Sequence, residues 1–326
     1  MNKPNNLSKY SLHSQWKVYL THGLLFFLTF LTTTLAGVWW LNKDPFDLVN
    51  FVLGLPYSLS LLTILAFHEF GHYFAARFYG VETSLPFFLP FPSFLGIIPF
   101  GTLGAVIIQR STIPSRKALF DFAAAGPLAG FIISVACLVY GFSSLPPVDY
   151  LLAIHPNYFN GQPVPQGSLA FGSNLLYEAI AYMASSPGDF IPPMTEMYHY
   201  PFLCVGWFGL IVTAFNLLPL GQLDGGRISY AMFGDSYHRI AQVALIILIA
   251  SGLLGMLPLI GIEFSYGWPG WLLWGCIFIG FIRFFGFNRK LVDDDTPLDS
   301  KRKAIGWVCW LIFLISLSPV PFTISP

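Results

Sequence analysis

Charged side chains are scarce in this sequence, and that scarcity excludes an ordinary soluble domain. Asp, Glu, Lys and Arg make up 10% of the 326 residues, while 55% are hydrophobic; soluble domains carry about 25% charged residues. Acidic and basic residues number sixteen each, so the formal net charge is zero, which argues against nucleic acid as a partner. The composition predicts a polytopic membrane protein that is embedded in the lipid bilayer.

Paired cysteines are lacking as well. The four cysteines are scattered, and no two of them form a C-x-x-C motif. We therefore interpret them as small hydrophobic residues within apolar segments rather than as ligands or disulfide partners.

Long apolar runs, by contrast, are abundant. A membrane-spanning helix needs about 20 apolar residues, and seven runs approach or exceed this length, at about 18–41, 51–80, 118–142, 201–222, 238–262, 268–287 and 304–322. We expect an all-α polytopic membrane protein with about seven transmembrane helices. A single membrane-embedded domain over 18–322 would follow a cytoplasmic N-terminal segment, 1–17.

Basic residues are distributed very unevenly between these runs. If all seven runs cross the membrane, fifteen Lys and Arg residues fall on one side and only Lys43 falls on the other. Because basic residues are retained on the cytoplasmic side, the N-terminus is predicted to be cytoplasmic and the C-terminus to lie across the membrane. The segment 143–200 then forms a translocated loop. We interpret His155 and His199 in this loop as ordinary polar residues, with a role in a site as the alternative.

The segment 84–110 is apolar but holds four prolines, a density that forbids a continuous helix. Its second half is rich in Val and Ile and contains Gly101 and Gly104, which favours β structure with bends. We predict a re-entrant, β-hairpin-like segment that dips into the membrane and lines a cavity. Such a strand can pair with an extended peptide. The alternative is a hydrophobic loop lying on the bilayer surface.

The stretch His68-Glu69-Phe70-Gly71-His72 matches the pattern H-E-x-x-H. On a helix, residues four apart lie on one face, so both imidazoles can reach one ion. Glu69 lies beside them and can contact a water that the ion activates. Ionisable groups at membrane depth are costly and mark functional sites, so the pattern predicts a metal site.

A catalytic zinc site has three protein ligands, so one more side chain must come from elsewhere. The fourth run ends in "AFNLLPLGQLDGGRISY", residues 214–230, and Asp224 is its only acidic residue at a matching depth. Pro219 and Gly225 belong to a cluster that can unwind the helix and turn the carboxylate inward. The alternative is that Asp224 caps the next helix.

Together these motifs resemble the site-2 protease family of intramembrane zinc metalloproteases, peptidase family M50. The residues that carry the resemblance are His68, Glu69, His72, Asn216, Pro219, Asp224 and Gly225. The stretch 101–130 and the sequence "NLLPLGQLDGGR" are similar to the plant and cyanobacterial branch called EGY-like.

The resemblance implies one zinc ion per chain with His68, His72 and Asp224 as ligands. It implies that Glu69 is the catalytic acid and base, and that Asn216 orients the substrate or polarises its carbonyl. The implied activity is hydrolysis of peptide bonds in or near the transmembrane segments of membrane-tethered substrates, such as tethered regulators.

Two further expectations follow from the resemblance. Gly126 and Pro127 match a glycine-rich family motif on the third run, where they would allow close helix packing. Many relatives carry a PDZ domain before the fourth run, and none is recognisable in this sequence. If the chain is cyanobacterial, its membrane is the plasma or the thylakoid membrane.

Two other functions stay open from the residues alone. Intramembrane His and Asp also line the pathways of metal-ion transporters, but a transporter should place polar groups at successive depths, and the last three runs are nearly bare of them. A catalytically silent membrane scaffold is the second alternative, and the intact Glu69 argues against it.

Overall fold

The computed structural model describes residues 7–92, 100–158, 169–285, 292–294 and 296–324. The first six residues of the predicted cytoplasmic segment lie outside these ranges. So do 93–99, in the middle of the predicted re-entrant segment, and 159–168, in the predicted translocated loop.

The described part of the chain is mostly helical. Its helices are α1 Leu7–Trp40, α2 Leu55–Phe78, α3 Arg116–Ser143, α4 Asp149–Ile154, α5 Leu175–Ala184, α6 Pro201–Asn216, α7 Asp224–Phe233, α8 Tyr237–Leu254, α9 Gly270–Phe285 and α10 Ser300–Ser316. Short 3-10 helices cover Leu48–Gly54, Met197–His199, Gly234–Ser236 and Leu257–Ile260.

Six short strands are also present among the described residues, which is more β structure than the single hairpin-like segment expected from the sequence. They are β1 Phe87–Pro90, β2 Thr102–Val106, β3 Ile113–Ser115, β4 Leu169–Phe171, β5 Val292–Asp294 and β6 Phe322–Ile324. They form three two-stranded sheets: β1 with β2, β3 with β5, and β4 with β6. The first five strands lie between helices and β6 follows α10, in stretches where Pro and Gly interrupt the helical pattern.

Four helical segments are long and apolar enough to cross a membrane: Trp16–Trp40, Leu48–Phe78, Arg116–Ser143 and Asp224–Ile260. The first three agree with the first three predicted runs. Pro201–Asn216 and the stretch Gly270–Gly280 of α9 are shorter apolar helical segments. The chain is therefore a multi-pass membrane protein, with four candidate spans identified by length.

The helix α3 lies at the centre of the molecule, where it packs against α2, α6 and α7. Small residues allow these backbones to approach closely. A Cβ atom added to Gly71 of α2 would lie 2.5 Å from the carbonyl oxygen of Ala125 in α3. This contact brings the histidine-bearing turn of α2 directly against α3.

The proline-rich segment folds back on itself as an antiparallel pair. Phe87 of β1 pairs with Val106 of β2, and the register shifts next to Pro90. The pair packs against α1, where His22 Nδ1 donates a hydrogen bond to the Pro86 carbonyl over 2.9 Å. The described residues of this segment thus contain an antiparallel strand pair beside the first long helix, and the re-entrant course of the segment stays a prediction.

Candidate active site

The two histidines of α2 point to a common position. His68 and His72 are buried, and their Nε2 atoms lie 3.2 Å apart. His72 Nδ1 donates a hydrogen bond to the Phe122 carbonyl of α3 over 2.8 Å. A bond of this kind fixes the ring orientation and leaves Nε2 free to bind a metal.

On the α3 side, Gly126 leaves room for the His72 ring because it has no side chain. A Cβ atom at Gly126 would lie 2.1 Å from His72 Nε2, so a larger residue would displace the imidazole. Pro127 lies inside α3, and because proline has no N–H, the hydrogen-bond ladder of the helix is interrupted there. The Phe122 carbonyl that binds His72 lies in the turn before this interruption.

Asp224 reaches the histidines from the break between α6 and α7. Its Oδ2 atom lies 3.2 Å from His72 Nε2 and 3.6 Å from His68 Nε2. Asp224 is the first residue of α7, and the N-cap position is occupied by Leu223, with no side-chain cap. The helix-cap alternative for Asp224 is therefore excluded by its position.

The break itself depends on a proline and on close backbone contacts. The helix α6 ends at Asn216 and α7 begins at Asp224, with Pro219 buried between them. A Cβ atom at Gly225 would lie 1.9 Å from the Leu217 carbonyl oxygen. Only glycine fits such an approach, and the tight return of the chain presents the Asp224 carboxylate to α2.

The remaining predicted residues lie beside the three donor atoms. The Nδ2 atom of Asn216 is 3.5 Å from His68 Nε2, a long contact for a hydrogen bond. The Glu69 side chain lies in the same wall, and the residue is 7% exposed. Both residues face a cavity of about 750 Å³.

The cavity has a second wall, which belongs to the segment that the sequence predicts to line a cavity and to pair with an extended peptide. The end of β2 and the chain that follows it, 105–113, line one side, and the main chain of Ile107 lies next to the Glu69 carboxylate. Arg227 also lines the cavity, with its guanidinium 5.3 Å from the centre of the Phe122 ring. Arg227 could have been assigned to the site from the sequence, because it lies three residues after Asp224 in the run Asp224-Gly-Gly-Arg227.

The donor set fits a zinc ion. Zinc binds imidazole nitrogen and carboxylate oxygen at about 2.0–2.2 Å in tetrahedral geometry, which separates neighbouring donor atoms by about 3.3 Å. The three separations here are 3.2, 3.2 and 3.6 Å. Catalytic zinc sites have three protein ligands and an open position, and the cavity provides the space for that position.

Comparison with known proteins agrees with this geometry. The model of a protein family described as peptidase family M50 matches residues 56–257, which include both histidines and Asp224. The chain belongs to peptidase family M50.

Curated relatives of this family member come from plants. The probable zinc metalloprotease EGY2, chloroplastic, of Oryza sativa subsp. indica is 30% identical over 84% of this chain and 44% of the relative. The probable zinc metalloprotease EGY1, chloroplastic, of Arabidopsis thaliana is 31% identical over 82% of this chain and 43% of the relative.

A third relative, the probable zinc metalloprotease EGY3, chloroplastic, of Oryza sativa subsp. indica, is 31% identical over 92% of this chain and 48% of the relative. The chain thus spans less than half the length of these relatives.

Proposed function

We propose that this chain is an intramembrane zinc metalloprotease that hydrolyses peptide bonds in or near the transmembrane segments of membrane-tethered substrates. One observation carries the proposal: two imidazoles of α2 and the Asp224 carboxylate of α7 surround one point, and Glu69 lies beside it in a cavity wall. The zinc metalloprotease names of the relatives support it.

In this proposal His68, His72 and Asp224 hold one zinc ion per chain. When bound, zinc supplies a Lewis acid that activates a water and polarises the scissile carbonyl. Glu69 takes a proton from the attacking water and then donates it to the leaving amine, so that one carboxylate acts first as base and then as acid. Asn216, at the edge of the cavity, orients the substrate carbonyl.

We propose that the substrate binds as a strand along the wall formed by 105–109. Ile108 uses its N–H and carbonyl to bond Ser84 on the β1 side, so the polar groups of Ile107 point the opposite way, toward the cavity. A helical substrate hides its own carbonyls in internal hydrogen bonds, and pairing with this edge would compensate for unwinding it. In this proposal the hairpin dips into the membrane as a re-entrant segment.

We also propose that α6, α9 and α10 cross the membrane together with the four longer segments, giving seven spans. The pairing of β4 with β6 brings Phe171 next to Phe322. If only the four long segments crossed, the single crossing Asp224–Ile260 would put these paired residues on opposite sides. Seven spans put four crossings between them, and also between the paired residues Ile113 and Val292.

With the basic residues on the cytoplasmic side, this topology leaves the N-terminus in the cytoplasm and translocates 143–200 as a loop without a PDZ domain. Residues 18–322 then form one membrane-embedded domain. The relatives' names place them in chloroplasts, which supports a photosynthetic membrane; for a cyanobacterial chain this is the thylakoid membrane, with the plasma membrane as the second location.

The decisive experiment uses the full chain in lipid vesicles with a synthetic transmembrane peptide as substrate. We expect cleavage that a zinc chelator abolishes and that added zinc restores. Glu69→Gln should keep its zinc and lose about 10²–10⁴-fold in turnover, because only the proton transfers are removed.

The variant Glu82→Gln, which changes a glutamate outside the cavity lining, serves as the matched control and should cleave normally. Full turnover by Glu69→Gln would contradict the assigned role. Metal flux into vesicles without peptide cleavage would favour a transporter, and the absence of both activities would favour a silent scaffold.

A further inference from the structure

A second cluster of metal-binding side chains lies in the segment 143–200, apart from the cavity. His155 follows α4, while Glu196 and His199 lie at the 3-10 turn before α6. The Nε2 atoms of the two histidines are 3.0 Å apart. Each of them is 3.4 Å from Glu196 Oε2, so three donor atoms from two separate stretches of chain meet at one position.

The ring of His199 is held in a metal-binding orientation by its surroundings. His199 Nδ1 donates a hydrogen bond to the Trp40 carbonyl at the end of α1 over 2.6 Å. The Tyr150 hydroxyl donates to the His199 carbonyl over 2.6 Å. With its proton on Nδ1, the ring presents the Nε2 lone pair to the cluster, as His72 does through Phe122.

The surroundings of the Glu196 carboxylate indicate that a ligand binds here. The residue is 0% exposed, and neither of its carboxylate oxygens has a hydrogen-bond partner among the described residues. The segment 143–200 contains no Lys or Arg. A buried carboxylate without a cation or donor is costly, and the two imidazole Nε2 atoms both lie 3.4 Å from it.

These imidazoles are placed to bind a metal ion. Each Nε2 atom lies 3.4 Å from Glu196 Oε2, and burial disfavours the charged form of an imidazole. Neutral imidazoles with free Nε2 atoms are the form that binds a metal ion, and a bound cation would compensate the carboxylate.

We propose that His155, Glu196 and His199 bind a second divalent transition-metal ion of the zinc class. Donor separations of 3.0, 3.4 and 3.4 Å match the spacing of about 3.3 Å between tetrahedral zinc ligands. Two imidazoles with one carboxylate suit zinc and its transition-metal neighbours rather than calcium or magnesium, which prefer oxygen ligands. The His155 side chain is 24% exposed, which gives an ion a way in.

The second ion would have a structural role. It would join the stretch after α4 to the turn that leads into α6, and through His199 to the end of α1. The catalytic residues lie at the other end of α6, whose 16 residues span about 24 Å. The ion therefore clamps the segment 143–200 onto the helices without touching the cavity.

Metal content of the purified full chain tests this directly. We expect elemental analysis to find two zinc ions per chain in the wild type and one in the double variant His68→Ala/His72→Ala. Adding Glu196→Gln to that double variant should remove the remaining ion. Glu178→Gln changes an exposed glutamate of the same segment and is the matched control, which should keep the ion.

His155→Gln gives an independent test at the most exposed of the three positions, where packing is least disturbed. In the His68→Ala/His72→Ala background it should abolish the increase in melting temperature that added zinc produces. The proposal is overturned if that background already lacks zinc, or if Glu196→Gln leaves the metal count unchanged.

The metal count also separates the two sites. If replacement of the α2 histidines removes one ion and Glu196→Gln removes none, the catalytic site is supported and the second site is overturned. If Glu196→Gln removes one ion and replacement of the α2 histidines removes none, the reverse holds.

Discussion

The position of the His72 ring depends on the absence of a side chain at Gly126. A Cβ atom at Gly126 would lie 2.1 Å from His72 Nε2 and 2.5 Å from Cδ2, so Gly126→Ala must push the ring away from the other donor atoms. We expect zinc affinity and peptide cleavage to fall about 10- to 100-fold, as for other changes that disturb a ligand's orientation. Zinc titration and the vesicle assay measure the two effects.

Gly280→Ala is the matched control, because a Cβ atom at Gly280 in α9 has no neighbour within 4 Å. That variant should retain its zinc and its activity. Normal zinc affinity in Gly126→Ala would mean that His72 does not bind the ion in the orientation seen here.

Asp224 contributes a charge as well as a donor atom. Asp224→Asn keeps the shape of the side chain but removes the negative charge, so we expect zinc retention to weaken by at least about tenfold. Elemental analysis after dialysis against a weak chelator measures the loss. Asp235→Asn changes an exposed position in the turn after α7 and should keep its zinc. Equal metal content in both variants would show that Asp224 is not a zinc ligand.

Single residues differ greatly in how well their sequence pattern predicts a role. His68 and His72 can be grouped from spacing alone, because residues four apart share a helix face. Asp224 could be assigned to the same site only by comparing its expected depth in the membrane with that of the two histidines. It lies beside the histidines in the structure, and zinc binding by the three residues stays a prediction.

The cluster around Glu196 was missed, since His155 lies 41 positions away in a loop without periodicity. The available signals were the spacing Glu196-x-x-His199 and the lack of any basic residue nearby. Interpreting the two histidines as ordinary polar loop residues therefore overlooked their convergence.

At the scale of secondary structure, the exposed edge after β2 gives a test of substrate binding. Ile107→Pro removes the N–H that points toward the cavity and the Glu69 carboxylate, while leaving the Ile108 bonds to Ser84 on the other side. We expect kcat/KM for a transmembrane peptide to fall about five- to tenfold, the value of one lost hydrogen bond, with zinc content unchanged.

Ile107→Ala keeps the backbone donor and should retain most of the activity. Equal losses in the alanine and proline variants would point to the side chain of Ile107 rather than to strand pairing.

Helix ends were harder to predict than helix positions. The fourth apolar run continues to about residue 222, yet α6 ends at Asn216, because the chain turns at Pro219 and the close contact of Gly225 with Leu217 follows. Hydropathy does not register such a turn, since Leu217, Leu218 and Leu220 remain apolar and buried inside it.

At the scale of the whole molecule, the seven-span topology makes opposite predictions for two loops. In a chain whose four native cysteines are replaced by alanine, and which is expressed in the plasma membrane of a bacterial host, Ser186→Cys in the translocated segment should react with a membrane-impermeant maleimide in intact cells. Ser300→Cys at the start of α10 should react only after permeabilisation. Both positions are exposed.

Labelling of both positions in intact cells would contradict the topology, as would labelling of neither. Reversed labelling would keep the number of spans and invert the orientation.

The long helices follow from composition, because long apolar runs reflect the bilayer directly, while the orientation inferred from the basic residues stays a prediction. The three-residue strands do not follow from composition. Ile113 pairs with Val292 and Leu169 pairs with Ile324, across more than 150 positions of sequence in each case. Strands this short carry no recognisable alternation, so only the folded chain reveals these partners.

The three donors at the cavity come from two distant parts of the chain, since His68 and His72 lie in α2 and Asp224 follows His68 by 156 positions. During synthesis the imidazoles of α2 enter the bilayer long before the carboxylate of α7 is made. Loading of the proposed zinc ion is therefore a late event in biogenesis, and an unfinished chain cannot acquire proteolytic activity before its sixth and seventh helices have docked.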